Sequence, residues 1–270
     1  MTEPKFPSLA LHVAGKWITQ AGGGERMVVD PSDESVLGVL PLASIDEVKM
    51  AAESAAAGFE IWRRKLAHER YLIIRKAAEL MRERAAEIAR VLTLEQGKPL
   101  SESKREVLLS ADIVDFQAEE GKRLYGRTVP PRIDGMLSQT VSRRPIGPVA
   151  AFTPWNFPAN LPARKLGSAL AAGCSVVIKP AEETPGTCML IVRCFLDAGV
   201  TPDALNMVCG DPAEVSSTLI AHDAIRKASL TGSVAVGKLL GRQCAKRVKR
   251  FTGELGGHAP VIVCEDADPA

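Results

Sequence analysis

Four short segments in the second half of the chain hold residue types that can do chemistry. In Thr153-Pro154-Trp155-Asn156-Phe157-Pro158 an amide side chain sits between two aromatics. Asn156 either satisfies a turn or offers its side-chain N–H to a developing oxyanion. In Lys179-Pro180-Ala181-Glu182 an ammonium and a carboxylate stand three residues apart. Lys179 reads as an ordinary surface lysine. Glu182 either opens a helix, where a carboxylate suits the dipole, or holds ribose hydroxyls at a strand end. Thr231-Gly232-Ser233, followed by Gly237, is not a G-x-G-x-x-G fingerprint. It is either a plain Gly-Ser helix start or a helix N-terminus whose bare N–H groups accept a phosphate. Glu254, among Gly253, Gly256 and Gly257, is a turn carboxylate or a general base with room for a substrate to approach.

Each segment follows an apolar run short enough to be a strand. Such runs lie at 149–152, 175–178, 205–208, 227–230 and 248–252, with helical stretches between them at 160–172, from 184, at 212–221 and at 234–245. Thr184-Pro185 reads as an N-cap followed by proline at the first helical position. Strands alternating with helices of this length predict an α/β fold with a doubly wound parallel sheet. Ligands bind outside the carboxyl ends of such strands, so the four segments are expected to converge on one crevice. Upstream, residues 9–40 read as short strands, with a hairpin turn at Ala14-Gly15-Lys16 and a loop at Gly22-Gly23-Gly24. Residues 44–121 read as helical. Ser44 and Glu47 form a capping box, and one amphipathic helix over 67–95 is ended by Gly97-Lys98-Pro99 before another at 101–121. Residues 127–146 carry prolines and a loose alternation, and read as an extended arm that could pair with another chain.

Composition narrows the function classes. With 34 Lys and Arg against 32 Asp and Glu, the net charge of +2 gives no argument for nucleic acid or a membrane surface. The basic run Lys246-Arg247-Val248-Lys249-Arg250 is a nucleic-acid patch or, more simply, a solvated helix end leading into a strand. Six cysteines with no C-x-x-C pair read as free thiols in a reducing compartment, and four scattered histidines lack metal-ligand spacing. No signal pattern and no long uncharged apolar stretch is present, so a cytoplasmic location is expected.

In order and spacing, the four segments resemble the signatures of the aldehyde dehydrogenase superfamily, and Glu95-Gln96-Gly97-Lys98-Pro99 extends the resemblance, which runs from about residue 10 to the last residue. It is most similar to succinate-semialdehyde dehydrogenases and related semialdehyde or aromatic-aldehyde enzymes. The resemblance implies a Rossmann-like NAD(P)-binding domain over 1–126 and 147–252, an oligomerisation arm at 127–146 and the start of a catalytic domain at 253–270. It implies that Asn156 holds the oxyanion formed when a cysteine attacks the aldehyde, and that Glu254 activates the hydrolytic water. Lys179 and Glu182, with Pro180 and Ala181, hold the adenosine ribose. Gly232, Ser233 and Gly237 lie along the pyrophosphate, Trp155 lines the cofactor cleft, and Leu255 sits near the nicotinamide. Arg164 matches an arginine at cofactor and substrate. Glu182 favours NAD, since a carboxylate repels the 2′-phosphate of NADP, while Lys179 keeps NADP open. A homo-oligomer and a small aldehyde are the implied partners, without metal, nucleic acid or membrane.

The sequence departs from the family pattern at Gly253 and His258, and above all in its cysteines. The family's nucleophile follows the glutamate by several tens of residues in a G-Q-x-C context. Gly241-Arg242-Gln243-Cys244 imitates that context, but it precedes Glu254 and falls in a helix, and Cys264 follows too closely. The expectation is therefore a chain that lacks the nucleophile and does not turn over alone, with a non-catalytic nucleotide-binding or oligomer-forming remnant as the alternative.

Overall fold

The computed structural model describes residues 6–268. Four short strands come first: β1 (Leu11–Val13), β2 (Lys16–Ile18), β3 (Glu25–Val29) and β4 (Val36–Pro41). Four helices follow: α1 (Ile45–Trp62), α2 (Ala67–Glu83), α3 (Ala85–Gln96) and α4 (Leu100–Lys122). A hairpin of β5 (Arg127–Val129) and β6 (Gln139–Val141) leads into alternating elements. These are β7 (Val149–Phe152), α5 (Asn160–Ala171), β8 (Val176–Lys179), α6 (Pro185–Asp197), β9 (Leu205–Met207), α7 (Pro212–Ala221), β10 (Lys227–Gly232), α8 (Val234–Lys246) and β11 (Arg250–Leu255). The domain bounds expected from sequence begin at residue 1 and end at 270, and residues 1–5 and 269–270 lie outside the described residues.

Seven strands form one sheet in the order β11-β10-β7-β8-β9-β1-β2. The first five run parallel, as the alternation predicts. The β1–β2 hairpin extends the edge antiparallel, with His12 opposite Met207. No local pattern marks this junction; His12 anchors it by a 2.7 Å hydrogen bond between its Nδ1 and the Leu205 carbonyl. β7 and β8 are buried along their whole length, as parallel strands covered on both faces must be. Helices α5 and α6 pack on one face under α2, α3 and α4, and α1, α7 and α8 cover the other. The chain steps from β7 through β8 to β9, then crosses back so that β10 lies on the other side of β7. That reversal opens a crevice outside the carboxyl ends of β7 and β10.

Local chemistry explains most of the boundaries. The Ser44–Glu47 capping box is present in both directions. Gly97, at φ 88°, ends α3 in the left-handed conformation, and its N–H reaches the Thr93 carbonyl. The single helix expected over 67–95 is two helices. Arg84, at φ −94° and ψ 11°, ends α2 and starts α3, and its guanidinium reaches Asp197 at the end of α6 at 2.6 Å. A one-residue break leaves the apolar spacing intact, so periodicity does not reveal it. β11 begins at Arg250 and not at 248, because Val248 sits at φ 52° in an exposed turn. β5 and β6 pair as a separate two-stranded sheet, in keeping with the extended character expected there.

The cap of α6 is the clearest departure from the sequence reading. Thr184 stands at the N-cap position, yet its side chain makes no cap hydrogen bond. Glu95, at the end of α3, takes that role instead. Its two oxygens accept from the Gly186 N–H at 2.8 Å and the Thr187 N–H at 2.7 Å. Burial pushes the Glu95 carboxyl up to about 7, against the pull of those hydrogen bonds. Between its ordinary value of 4.5 and about 7, the folded chain holds a proton that the unfolded chain releases. Stability from this group is therefore present below 4.5, falls as pH rises through that window, and is flat above it. The increment is at most about 3 kcal/mol. Glu95→Gln is expected to flatten this part of the profile in denaturant titrations. Parallel profiles for the two chains would contradict the assignment.

Candidate active site

Across the carboxyl edge of the sheet the strand ends stand in the order β11, β10, β7, β8. They present, in turn, Glu254 and Leu255, then Gly232 and Ser233, then the 153–158 loop, then Lys179 to Glu182. Three strand spacings make this row about 14 Å long. All four sequence-identified segments thus lie along one edge, at the switch point.

β11 carries two of these residues to opposite faces. Glu254 and Leu255 belong to the strand itself and not to the loop expected there; they pair with Thr231 and Gly232 of β10. Because side chains alternate along a strand, Glu254 turns to the α5 side, where Arg164 and Lys165 share its cavity. Leu255 turns to the α8 side and lies over Gly237. A Cβ at Gly237 would sit 2.6 Å from both Leu255 methyl carbons, so the glycine permits this packing. At Gly232 an added Cβ would meet nothing closer than Leu230 at 3.4 Å, so the backbone at the end of β10 is open. Ser233 caps α8, accepting from the Val236 N–H at 3.3 Å, and Ser233 to Val236 are exposed.

At the other end of the row, Lys179 and Glu182 are both buried and hold each other, with Nζ–O distances of 2.5 and 2.7 Å. Glu182 also accepts the Gly210 N–H at 3.1 Å, and Lys179 donates to the Pro180 carbonyl. The pair follows from a tight turn after β8: Pro180 is buried and Ala181 half-buried between the charges. Glu182 therefore presents a carboxylate whose charge Lys179 offsets.

The 153–158 loop is held from below by residues that sequence reasoning did not single out as site residues. Trp155, Asn156 and Phe157 are exposed. Beneath them Glu106 of α4, 5% exposed, accepts the N–H groups of Ala159 at 3.0 Å and Asn160 at 3.1 Å. Its other oxygen accepts from Lys98 Nζ at 2.6 Å. Lys98 in turn donates to the Asn156 carbonyl at 3.3 Å and lies 4.2 Å above the Phe157 ring. The signal was there. Ser103, Glu106 and Ser110 are polar residues at i, i+3 and i+7 on the buried face of α4. Lys98 belongs to the Gly-Lys-Pro stop of α3.

Lys165 is a second omission. It reads as an ordinary lysine of an amphipathic helix, yet its Nζ donates to Ser229 Oγ of β10 at 2.9 Å. Burial pushes its amine down to about 8, with Glu254 opposing and Lys227 adding to the shift. Arg164, one residue earlier, is exposed and donates to Asn160 Oδ1 at 2.8 Å. A cavity of about 590 Å³ joins Arg164, Asn160, Phe157 and Glu254 with Glu102, Arg105 and Leu109 of α4. No cysteine lines it. Cys174, Cys188, Cys194, Cys209 and Cys244 are buried, Cys244 within α8 as expected, and Cys264 is exposed.

Residues 17–270 match the model of the aldehyde dehydrogenase family. The chain belongs to this family. It is 45% identical over 260 residues to the 4-(hydroxymethyl)benzenesulfonate dehydrogenase TsaD1 of Comamonas testosteroni, covering 96% of this chain and 54% of that one. It is 42% identical over 257 residues to the NADP(+) succinate-semialdehyde dehydrogenase GabD of Escherichia coli, covering 95% and 53%. The structure of succinate-semialdehyde dehydrogenase from Burkholderia pseudomallei superposes with a TM-score of 0.93 at 42% identity, over 99% of this chain and 55% of that one. This aldehyde dehydrogenase chain spans about half the length of the relatives it matches, and its mixed α/β sheet is theirs. No helix among the described residues is long and apolar enough to cross a membrane.

Proposed function

We propose that these residues form the NAD(P)-binding part of an enzyme that oxidises an aldehyde to a carboxylate. One observation carries the reading: four polar strand ends stand side by side at the switch point, with Lys179–Glu182 at one end and Asn156 and Glu254 towards the other. The open backbone at Gly232 and the exposed first turn of α8 fit a pyrophosphate. Lys179 and Glu182 fit ribose hydroxyls, Trp155 and Leu255 the walls of the cleft, and Gly237 the close packing behind it. When bound, NAD(P) supplies the acceptor for the aldehyde's hydride. Asn156 donates to the oxygen that becomes negative when a thiolate attacks the carbonyl. Glu254 takes a proton from the water that releases the acid.

The thiolate itself is proposed to come from outside these 270 residues: the cavity that joins Asn160, Arg164 and Glu254 has no cysteine in its lining, and the cysteine in the neighbouring groove to Glu254 is the buried Cys174, whose thiol burial pushes up. Burial likewise pushes Cys194 up to about 12. Purified 1–270 is therefore expected to form no NADH from any aldehyde, and measurable aldehyde-dependent NADH would overturn this part of the proposal.

Arg164 and Arg105 flank the cavity that holds Glu254, which suits an aldehyde with an anionic far end. The names of the relatives, a succinate semialdehyde and a benzenesulfonate, point the same way. Between nucleotides, the Lys179 contact leaves both open. Glu182→Gln is expected to raise NADP affinity relative to NAD by about tenfold, by removing a carboxylate next to the ribose. An unchanged ratio in parallel titrations would place the ribose elsewhere. The β5–β6 hairpin, with Ile133 and Leu137 exposed in its connection, is proposed to pair with a second copy in a cytoplasmic homo-oligomer.

A further inference from the structure

At the opposite end of the sheet from the crevice lies a cavity of about 740 Å³ with no acidic side chain in its lining. Six cations surround it: Arg70, Lys122, Arg143, Arg144, Lys227 and Arg250. The fold brings them there from four directions. Arg70 and Lys122 come from α2 and α4, Arg143 and Arg144 from the segment before β7, and Lys227 and Arg250 are the first residues of β10 and β11. Arg250 stands four residues before Glu254, about 13 Å away along the strand.

The charges are poorly matched by the protein. Lys227 and Arg250 are paired in the β10–β11 register, and like charges side by side in a sheet repel. Among the described residues, neither they nor Arg144 form an ion pair. Arg70 is buried, and its hydrogen bonds go to the carbonyls of Ala171 and Lys65. The adjacent Glu69 is turned onto the Leu66 N–H. Arg143 donates to the Tyr125 carbonyl. Lys122 has a carboxylate partner, Glu119 at 2.8 Å. Several cations around one concave site raise the local potential and attract an anion of several charges.

We propose that this cavity binds a small phosphate-type anion of several negative charges. Four of the six cations are arginines, whose planar forks match phosphate oxygens in pairs. No aromatic ring lines the cavity, so nothing there would stack on a base, and the ligand is read by its phosphates alone. The cavity shares Cys174 and Lys227 with the groove that leads up beneath Lys165 to Glu254, so its occupant would lie at the far mouth of that groove.

The test is calorimetric titration of the chain with sodium tripolyphosphate. Saturable binding at one site per chain is expected, weakened by added salt and unchanged by NAD. Arg144→Gln/Arg250→Gln changes two exposed side chains and is expected to weaken binding by about tenfold or more. Lys49→Gln/Arg90→Gln removes the same charge on α1 and α3 and should stay within about twofold. Thermal unfolding without ligand verifies that both variants fold. Failure to saturate, equal weakening by the two double variants, displacement by NAD, or tighter binding of citrate than of tripolyphosphate would each overturn the proposal.

Discussion

Glu106→Ala is expected to cost about 3–5 kcal/mol of folding stability, because it removes one partner of a buried ion pair. Three groups lose their acceptor together: Lys98 Nζ and the N–H groups of Ala159 and Asn160. Lys98 is only 12% exposed, so its ammonium would be left largely out of water without a counter-charge. The two amides open α5, where first-turn N–H groups have no acceptor within the helix itself. The loss should be local before it is global. Amide exchange at 159 and 160 should accelerate ahead of exchange in α2 or α6, since the carboxylate pins the loop that carries Asn156. Glu106→Gln keeps one acceptor and should lose markedly less. Lys98→Met leaves the buried Glu106 carboxylate with two backbone donors and no cation, so it carries the same kind of penalty as Glu106→Ala, while releasing the Asn156 carbonyl. Denaturant titration of the three variants orders them. A Glu106→Ala chain within about 1 kcal/mol of the parent would show that the pair does not hold the loop.

Lys179→Ala should be comparably damaging at the other end of the row, and it separates stability from binding. Glu182 would remain buried with the Gly210 N–H and no cation. A cost of about 3–5 kcal/mol is expected, together with loss of nucleotide binding. Replacing both charges, in Lys179→Met/Glu182→Leu, removes the unpaired carboxylate and should restore most of the stability, because an apolar pair of similar volume needs no desolvation. It should not restore nucleotide affinity, since neither side chain can then meet a ribose hydroxyl. If the double variant regains stability and binds NAD as the parent does, the pair is structural and the ribose lies elsewhere.

Which features were legible in the sequence follows from the range of the interactions that make them. The parallel sheet was legible because β7, β8 and β10 are short apolar runs followed by glycine, proline or polar residues, and that pattern is local. The capping box and the Gly97 stop were legible for the same reason. The break at Arg84 was not, because one residue out of helix leaves the 3.6-residue spacing unchanged. Glu95 was not, because it accepts hydrogen bonds from backbone 91 and 92 positions away and no local pattern marks a cap supplied by another helix. For Glu106 the polar positions on the buried face of α4 gave a hint, but not the partners, which lie 53 and 54 positions away. Glu254 was found as a residue but misplaced as a loop carboxylate. Its glycine neighbours suggested a turn, while pairing with Thr231 keeps it in the strand. Lys165 was hidden by its own helix, whose amphipathic pattern makes any lysine look solvated.

The most direct measurement is titration of the purified chain with NAD and with NADP by calorimetry, alongside unfolding curves that establish its fold. Saturable binding of at least one nucleotide, one per chain and lost in Lys179→Met/Glu182→Leu, is the expected result. A folded chain that binds neither nucleotide, or binds both equally well without the Lys179–Glu182 pair, would contradict the assignment of the carboxyl edge of the sheet as the cofactor site.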